Sequence, residues 1–188
     1  MENLISALQI FQLFLIFCLV LLLGYLGYVM MTFKNFIPFV PTSKKVARKM
    51  VEKVALKPGE KACDLGSGSG SLIIELARQY PNNEITGYEI APFLRFVSKI
   101  KMALAFLKNK KVKVINQDMF TVDLSQYDAI VYFLIPKAMI KLMPQLKQMK
   151  IGSRIVSSSF PLPSAEEWTE EPIHISERTS IFAYTKIK

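Results

Sequence analysis

Three carboxylates and a glycine loop carry most of the chemistry in this chain. The loop reads Asp64-Leu65-Gly66-Ser67-Gly68-Ser69-Gly70. Glycine lets a backbone take positive φ and lets a ligand approach closely. The spacing is Gly-x-Gly-x-Gly, which differs from the Gly-x-Gly-x-x-Gly loop that turns a dinucleotide pyrophosphate onto a helix N-terminus. An acid ahead of the glycines would repel a pyrophosphate. It suits a ligand with a positive charge, such as the α-ammonium of S-adenosylmethionine (SAM). Glu89 stands where a carboxylate can accept both hydroxyls of a ribose, although nicotinamide enzymes place an acid similarly. Asp118, in Asn116-Gln117-Asp118-Met119-Phe120, can take an adenine amino group, with Met119 or Phe120 packed on the ring.

These acids need strands to end beside them. Lys61–Leu65, Ile85–Glu89, Val112–Asn116 and Ala129–Leu134 are short apolar segments. The last is nearly continuous, as a strand covered on both faces is. Helical periods separate them at Ser71–Gln79, Pro92–Leu107 and Lys137–Met149. Pro92 takes an allowed first-turn position. Gly152–Ser159 reads as a fifth strand, and Ile173–Ile175 with Ile181–Lys186 as a closing antiparallel pair. Lys44–Leu56 is a lead-in helix, ended by Pro58-Gly59. Strand–helix alternation with short loops predicts an α/β fold with a mostly parallel, doubly wound sheet. Such sheets bind ligands at the carboxyl ends of their strands.

The chain has 188 residues, of which 51% are hydrophobic and 21% charged. The apolar excess is concentrated at the start, where residues 3–33 hold no charged side chain. A helix needs roughly 20 apolar residues to cross a bilayer, so this run predicts one transmembrane helix. A cleaved signal peptide would have positive charge before a shorter apolar stretch and a small-residue cleavage site. Here only Glu2 precedes the run and its end is aromatic and Met-rich, which favours an uncleaved anchor. Lys34, Lys44, Lys45, Arg48 and Lys49 follow it, so the positive-inside rule places the rest of the chain on the cytoplasmic side of a single-pass protein.

The net charge is +9. A solvated basic face and attraction to anionic headgroups both account for it, and no nucleic-acid motif accompanies it. Nucleic acid is therefore not an expected partner. Cys18 and Cys63 lie at no metal or redox spacing, and His174 is the sole histidine. No metal is expected, and a Ser-His-Asp mechanism is disfavoured.

The motifs resemble those of the class I SAM-dependent methyltransferases. More narrowly, the chain resembles the small membrane-anchored lysine methyltransferases that act on the adenine nucleotide translocase and on the ATP synthase c subunit. The resemblance is carried by Phe39-Val40-Pro41-Thr42, Asp64–Gly68, Gly87-Tyr88-Glu89-Ile90-Ala91-Pro92-Phe93-Leu94 and Asp118-Met119-Phe120, with Phe160-Pro161-Leu162-Pro163 and Phe182-Ala183-Tyr184. It departs where serines stand at 69 and 71 (the family usually has Asp and Arg), Ala91 at an Asn and Phe93 at a Trp.

The resemblance implies a Rossmann-like fold. It implies SAM contacts from Pro41, Thr42, Asp64, Leu65, Gly66, Ser67, Gly68, Gly70, Glu89, Ile90, Asp118 and Met119. It divides the chain into an anchor (1–34), a linker with lead-in helix (35–57) and a catalytic domain (58–188). Tyr132, Phe133 and Pro136 lie where methyltransferases hold the acceptor. A lysine acceptor must be neutral, and desolvation in an aromatic site favours that form. The expected activity is methylation of a lysine on a protein in or near the bilayer, since an anchor raises local concentration there. A quinone-like or lipid acceptor, and a non-catalytic SAM-binding protein, remain open alternatives. A nicotinamide oxidoreductase is disfavoured by the loop spacing and Asp64.

Overall fold

The computed structural model describes residues 2–33, 42–105, 111–176 and 179–188. The chain separates into two compact units, Met1–Pro38 and Phe39–Lys188. The first holds α1 (Glu2–Phe33). Its segment Leu8–Gly27 has a mean hydropathy of 2.5 and is the one helix, among the described residues, long and apolar enough to cross a membrane.

The second unit opens with α2 (Lys44–Val54), whose Ser43 accepts a hydrogen bond from the Val46 N–H and so caps the first turn. α2 stops earlier than its apolar period suggested, because Ala55 adopts the left-handed conformation that closes many helices. The order thereafter is β1 (Lys61–Leu65), α3 (Ser71–Gln79), β2 (Glu84–Tyr88), α4 (Pro92–Leu104), β3 (Val112–Ile115), β4 (Ala129–Tyr132), α5 (Pro136–Leu146), β5 (Arg154–Ser158), β6 (Trp168–Ser176) and β7 (Thr179–Lys186). The seven strands form one sheet in the order β3-β2-β1-β4-β5-β7-β6. Strands β1 to β5 pair in parallel, and β7 is antiparallel to both β5 and β6. The doubly wound expectation and the closing antiparallel pair are both present. The strand order reverses between β1 and β4, which makes their carboxyl ends the ligand-binding crevice of this topology.

One face of the sheet is covered by α2 and α3. Ala47, Met50, Val51 and Val54 meet Leu72, Ile73, Leu76, Ala62, Ala129, Val131 and Val156 in one apolar cluster. Because side chains alternate along a strand and Asp64 is in register with Val131, Asp64 shares this face. Leu65 pairs with Tyr132, and both look to the opposite face.

Boundaries shift elsewhere too, by up to five residues. β4 ends at Tyr132, leaving Phe133 and Leu134 in the connection to α5. Two 3-10 turns, Met119–Thr121 and Leu124–Gln126, had no sequence signal in the apolar pattern. Asp118 and Asp123 cap them by accepting backbone N–H groups of Phe120 and Ser125. β6 starts at Trp168, ahead of the expected Ile173, because it is the sheet's edge. There Thr169, Glu170 and Glu171 are exposed and carry no apolar alternation, and Pro172 is tolerated.

The Phe160–Pro163 segment is pinned by β7. The Tyr184 hydroxyl accepts the buried Leu162 N–H at 2.9 Å and donates to Glu170 at 3.2 Å. Tyr184→Phe orphans that N–H. The expected cost is about 1–3 kcal/mol, read as a lower denaturation midpoint with an unchanged m-value.

Candidate functional site

The glycine loop leaves β1 and enters α3. Its backbone is turned by Gly66, Gly68 and Gly70 at φ of 71°, 51° and 84°. Two backbone bonds hold it: Ser67 N–H donates to the Tyr88 carbonyl at the end of β2 and Gly70 N–H to the Ser67 carbonyl within the loop, both at 2.9 Å. Gly70 is constrained twice. A Cβ there would collide with Ser98 Oγ, and the φ disfavours any side chain. Gly70→Ala is expected to cost about 3 kcal/mol, combining left-handed strain with overpacking, and to lower Tm by roughly 10 °C. Ser98→Ala on that background should restore part of the loss in a thermal melt.

Glu89 lies one residue past β2 and grips the loop. One carboxylate oxygen accepts the Gly68 N–H at 2.9 Å, and the other accepts the Ala91 N–H at 2.8 Å. Its backbone is held in turn by Arg95. That guanidinium donates from one nitrogen to the carbonyls of Glu89 (3.2 Å) and Ile90 (2.7 Å) and to Asn116 Oδ1 (2.7 Å). The carboxyl ends of β2 and β3 are thus tied together from α4.

Asp64 is 1% exposed. Its Oδ2 and the Ser67 Oγ are buried without a hydrogen-bond partner. Burial, reinforced by the negative charge of Glu89, pushes the Asp64 carboxyl up to about 8, and a backbone hydrogen bond from Ile73 at the start of α3 pulls the other way. Buried polar atoms are nearly always paired in a finished structure. Two orphaned oxygens beside an anionic Glu89 form a cradle for a ligand with a positive, hydrogen-bonding end. The residues present therefore fit the ammonium and ribose of SAM.

The remaining expected residues spread around this cradle. Leu65 is fully buried beneath it. Met119 is buried, and its sulfur and the Leu134 Cδ2 approach the position of a Gly66 Cβ to 3.7 and 3.5 Å. An apolar wall built from the segments after β3 and β4 thus stands against the loop. Asp118 is exposed and spends one oxygen on the Phe120 N–H at 3.0 Å, leaving the other free. Ile90 is exposed at the rim. Thr42 is half-buried ahead of α2, and Pro41 lies outside the described residues.

The acceptor candidates run from the end of β4 through its connection to the start of α5. Tyr132 is fully buried on the opposite face of the sheet from Asp64, with its hydroxyl unpartnered. Phe133 is half-buried in the connection, and Pro136 is exposed at the first turn of α5.

Sequence reasoning missed Arg95, Ser98, Lys101 and Leu134. The Lys101 ammonium donates to Ser69 Oγ at 2.8 Å, so the serine that replaces the family's usual acid is engaged by α4. Positions 95, 98 and 101 recur at three-residue spacing on α4, the one pattern that could have assigned them to a shared contact.

Residues 64–169 match the family described as "ANTKMT methyltransferase domain". A protein-lysine N-methyltransferase of Saccharolobus islandicus (strain REY15A) is 31% identical over 127 residues, a match covering 65% of this chain and 76% of that protein. The ATP synthase c-subunit lysine N-methyltransferase of Caenorhabditis elegans is 32% identical over 108 residues, covering 57% of this chain and 55% of the relative. Among solved structures, an RNA methyltransferase from Salinibacter ruber in complex with S-adenosyl-L-homocysteine superimposes with a TM-score of 0.70 at 26% identity, over 79% of this chain and 95% of that one.

Proposed function

Since the chain belongs to the ANTKMT methyltransferase domain family, we propose that it methylates a lysine of a protein lying in or beside a membrane. It is a SAM-dependent methyltransferase of the class I, Rossmann-like fold. The observation that carries the reading is the cradle at the β1–β4 switch point, where Asp64 and Ser67 hold unsatisfied oxygens and Glu89 fixes the loop.

SAM supplies an electrophilic methyl on a positively charged sulfur, so the protein's contribution is binding and alignment. We assign Asp64 to the cofactor's ammonium and Glu89 to its ribose, through lone pairs that the Gly68 and Ala91 N–H groups leave open. The free oxygen of Asp118 takes the adenine amino group. Met119 and Leu134 pack on the ring, and Gly66, Ser67, Gly68 and Gly70 supply the close backbone. Thr42 closes the site from the lead-in segment, and Ile90 from the rim, while Pro41 is a cofactor contact on the family resemblance alone. On the acceptor side, Phe133 and Pro136 form an apolar entry after β4 that strips water from the incoming amine and favours its neutral form.

The protein-lysine assignment is supported by the relatives named for that acceptor. Membrane attachment is supported by Leu8–Gly27. The basic residues from Lys34 to Lys49 favour the cytoplasmic side for residues 58–188 by the positive-inside rule. Incubating membranes that contain the full chain with methyl-labelled SAM tests the acceptor class. Label recovered as methyl-lysine after hydrolysis of membrane polypeptides is expected. Label confined to the organic extract would replace a protein acceptor with a lipid or quinone.

A further inference from the structure

α4 is built with its large apolar side chains outside. Toward the domain it presents Ser98, fully buried against Gly70, with Met102 and Ala105 packed on the core. Away from the domain, Phe93 is 73% exposed, Phe96 62%, Ile100 44% and Leu104 71%. At about 100° per residue these four fall within an arc of about 80°. Lys99 borders the arc on one side, and on the other stands Lys101, whose ammonium turns back to Ser69 of the glycine loop. Arg95 is the third cation of the helix, which contains no Asp or Glu.

A helix on a globular domain ordinarily turns its apolar stripe inward. A contiguous stripe turned outward marks a surface that meets something apolar. Cations on both borders, aromatic and aliphatic side chains between them and no acid make up the composition of a helix that lies in the plane of an anionic bilayer surface. A helix with three cations and no acid matches a uniformly negative plane better than a protein groove, which would need acids placed against individual lysines. The same chain supplies a route to such a surface, since Leu8–Gly27 is apolar enough to cross a membrane.

We propose that α4 is a second membrane contact, lying in the headgroup layer of an anionic bilayer with Phe93, Phe96, Ile100 and Leu104 in the acyl boundary. The proposal rests on the membrane reading of α1 for proximity alone. α4 begins three residues past Glu89, and the exposed Ile90 prolongs the stripe to the carboxyl edge of β2. A docked α4 therefore holds the cofactor-binding edge of the sheet close to the lipid surface, where a substrate lysine at a membrane boundary would be found.

The test uses the full chain with Cys18→Ala, which leaves only the buried Cys63, and Phe96→Cys carrying an environment-sensitive fluorophore. Ile100→Cys serves as a second probe site and the exposed Lys57→Cys as control. The proteins are reconstituted in phosphatidylserine-containing vesicles with or without nitroxide-labelled lipid, and in pure phosphatidylcholine. Expected are a blue-shifted emission at 96 and 100 and lipid quenching at least twofold stronger than at 57, both weakened in phosphatidylcholine or in high salt. Protein that floats with vesicles while both α4 probes stay as open to aqueous iodide as the control overturns the docking alone. Probes shielded from iodide but not quenched by lipid also overturn it, because a second copy or another polypeptide then covers the stripe. Protein that does not float with vesicles overturns the membrane reading of α1 and the docking together.

Discussion

Titrating the full chain with SAM near pH 6 is expected to release about one proton per cofactor bound, and the affinity should rise about tenfold per pH unit up to about pH 7 and more slowly from there to about pH 8. The cause is Asp64. Without ligand its carboxyl holds a proton up to about pH 8, because burial and the charge of Glu89 both penalise the anion. A cationic ammonium placed against it reverses that balance, so the proton leaves as the ligand enters. From about pH 7 the ligand's own α-amino group, with a reference pKa near 7.7–8.0, begins to lose its charge, so the rise flattens and the affinity falls above about pH 8. The free protein shows the opposite linkage. The unfolded chain gives up the Asp64 proton near the ordinary 3.8, while the folded chain keeps it to about 8. The stability this group contributes is therefore complete below about pH 4, declines as pH rises, and is lost above about pH 8. Asp64→Asn should flatten both curves. Calorimetry in buffers of different ionisation enthalpy measures the proton count. No proton uptake or release between pH 6 and 8 would remove Asp64 from direct contact with the ammonium.

Glu89→Ala should weaken SAM binding about 100-fold or more while the domain stays folded. Two separate effects combine in that number. The ribose loses its carboxylate acceptor. The loop also loses its brace, since Glu89 accepts the N–H groups of Gly68 and Ala91. Hydrogen bonds to a charged group contribute about 1.5–3 kcal/mol each, and removing even the weaker pair of such bonds is enough for the predicted ratio. Glu89→Gln keeps one accepting oxygen and turns the other position into a donor facing a donor, so its affinity should fall between those of the two forms. A dissociation constant within threefold of the parent in Glu89→Ala would show that the loop is shaped without Glu89 and that the ribose lies elsewhere.

Much of this site is legible in the sequence because parallel strands announce themselves. β1, β2 and β4 are short apolar runs, and the acids at or beyond the ends of β1, β2 and β3 (Asp64, Glu89 and Asp118) fall at the carboxyl edge of the sheet once the order is doubly wound. Asp64, Gly68 and Glu89 stand out by their spacing, and the structure brings them into one cradle with Ser67. The supports are not legible. Arg95 and Lys101 read as ordinary surface cations on a helix, and only the packing of α4 against the loop gives them Asn116 and Ser69 as partners. Ser98 looks like a polar interruption in an apolar helix, yet its small size is what permits Gly70 to approach. Leu134 reads as part of β4, but the strand ends two residues earlier and frees it to lean on Gly66. β6 is underestimated for a related reason. An edge strand with glutamates facing solvent has no periodicity to detect, and its pairing with β7 is a long-range fact. Tyr132 shows a different limit. Its position in sequence gives its strand correctly, but strand alternation set against the register with β1 is needed to place it on the other face from Asp64.

The measurement that bears most directly on the whole account is a calorimetric titration of the purified full chain with SAM at pH 8, followed by displacement with S-adenosyl-L-homocysteine. Expected are saturable binding at one site, competition by the product, and heat that is lost in Glu89→Ala although that variant melts cooperatively. A cooperatively folded parent chain that gives no binding heat and shows no thermal shift with SAM would contradict it. In that case the unpaired oxygens of Asp64 and Ser67 belong to a site for some other cation, and the methyl-transfer reading fails with them.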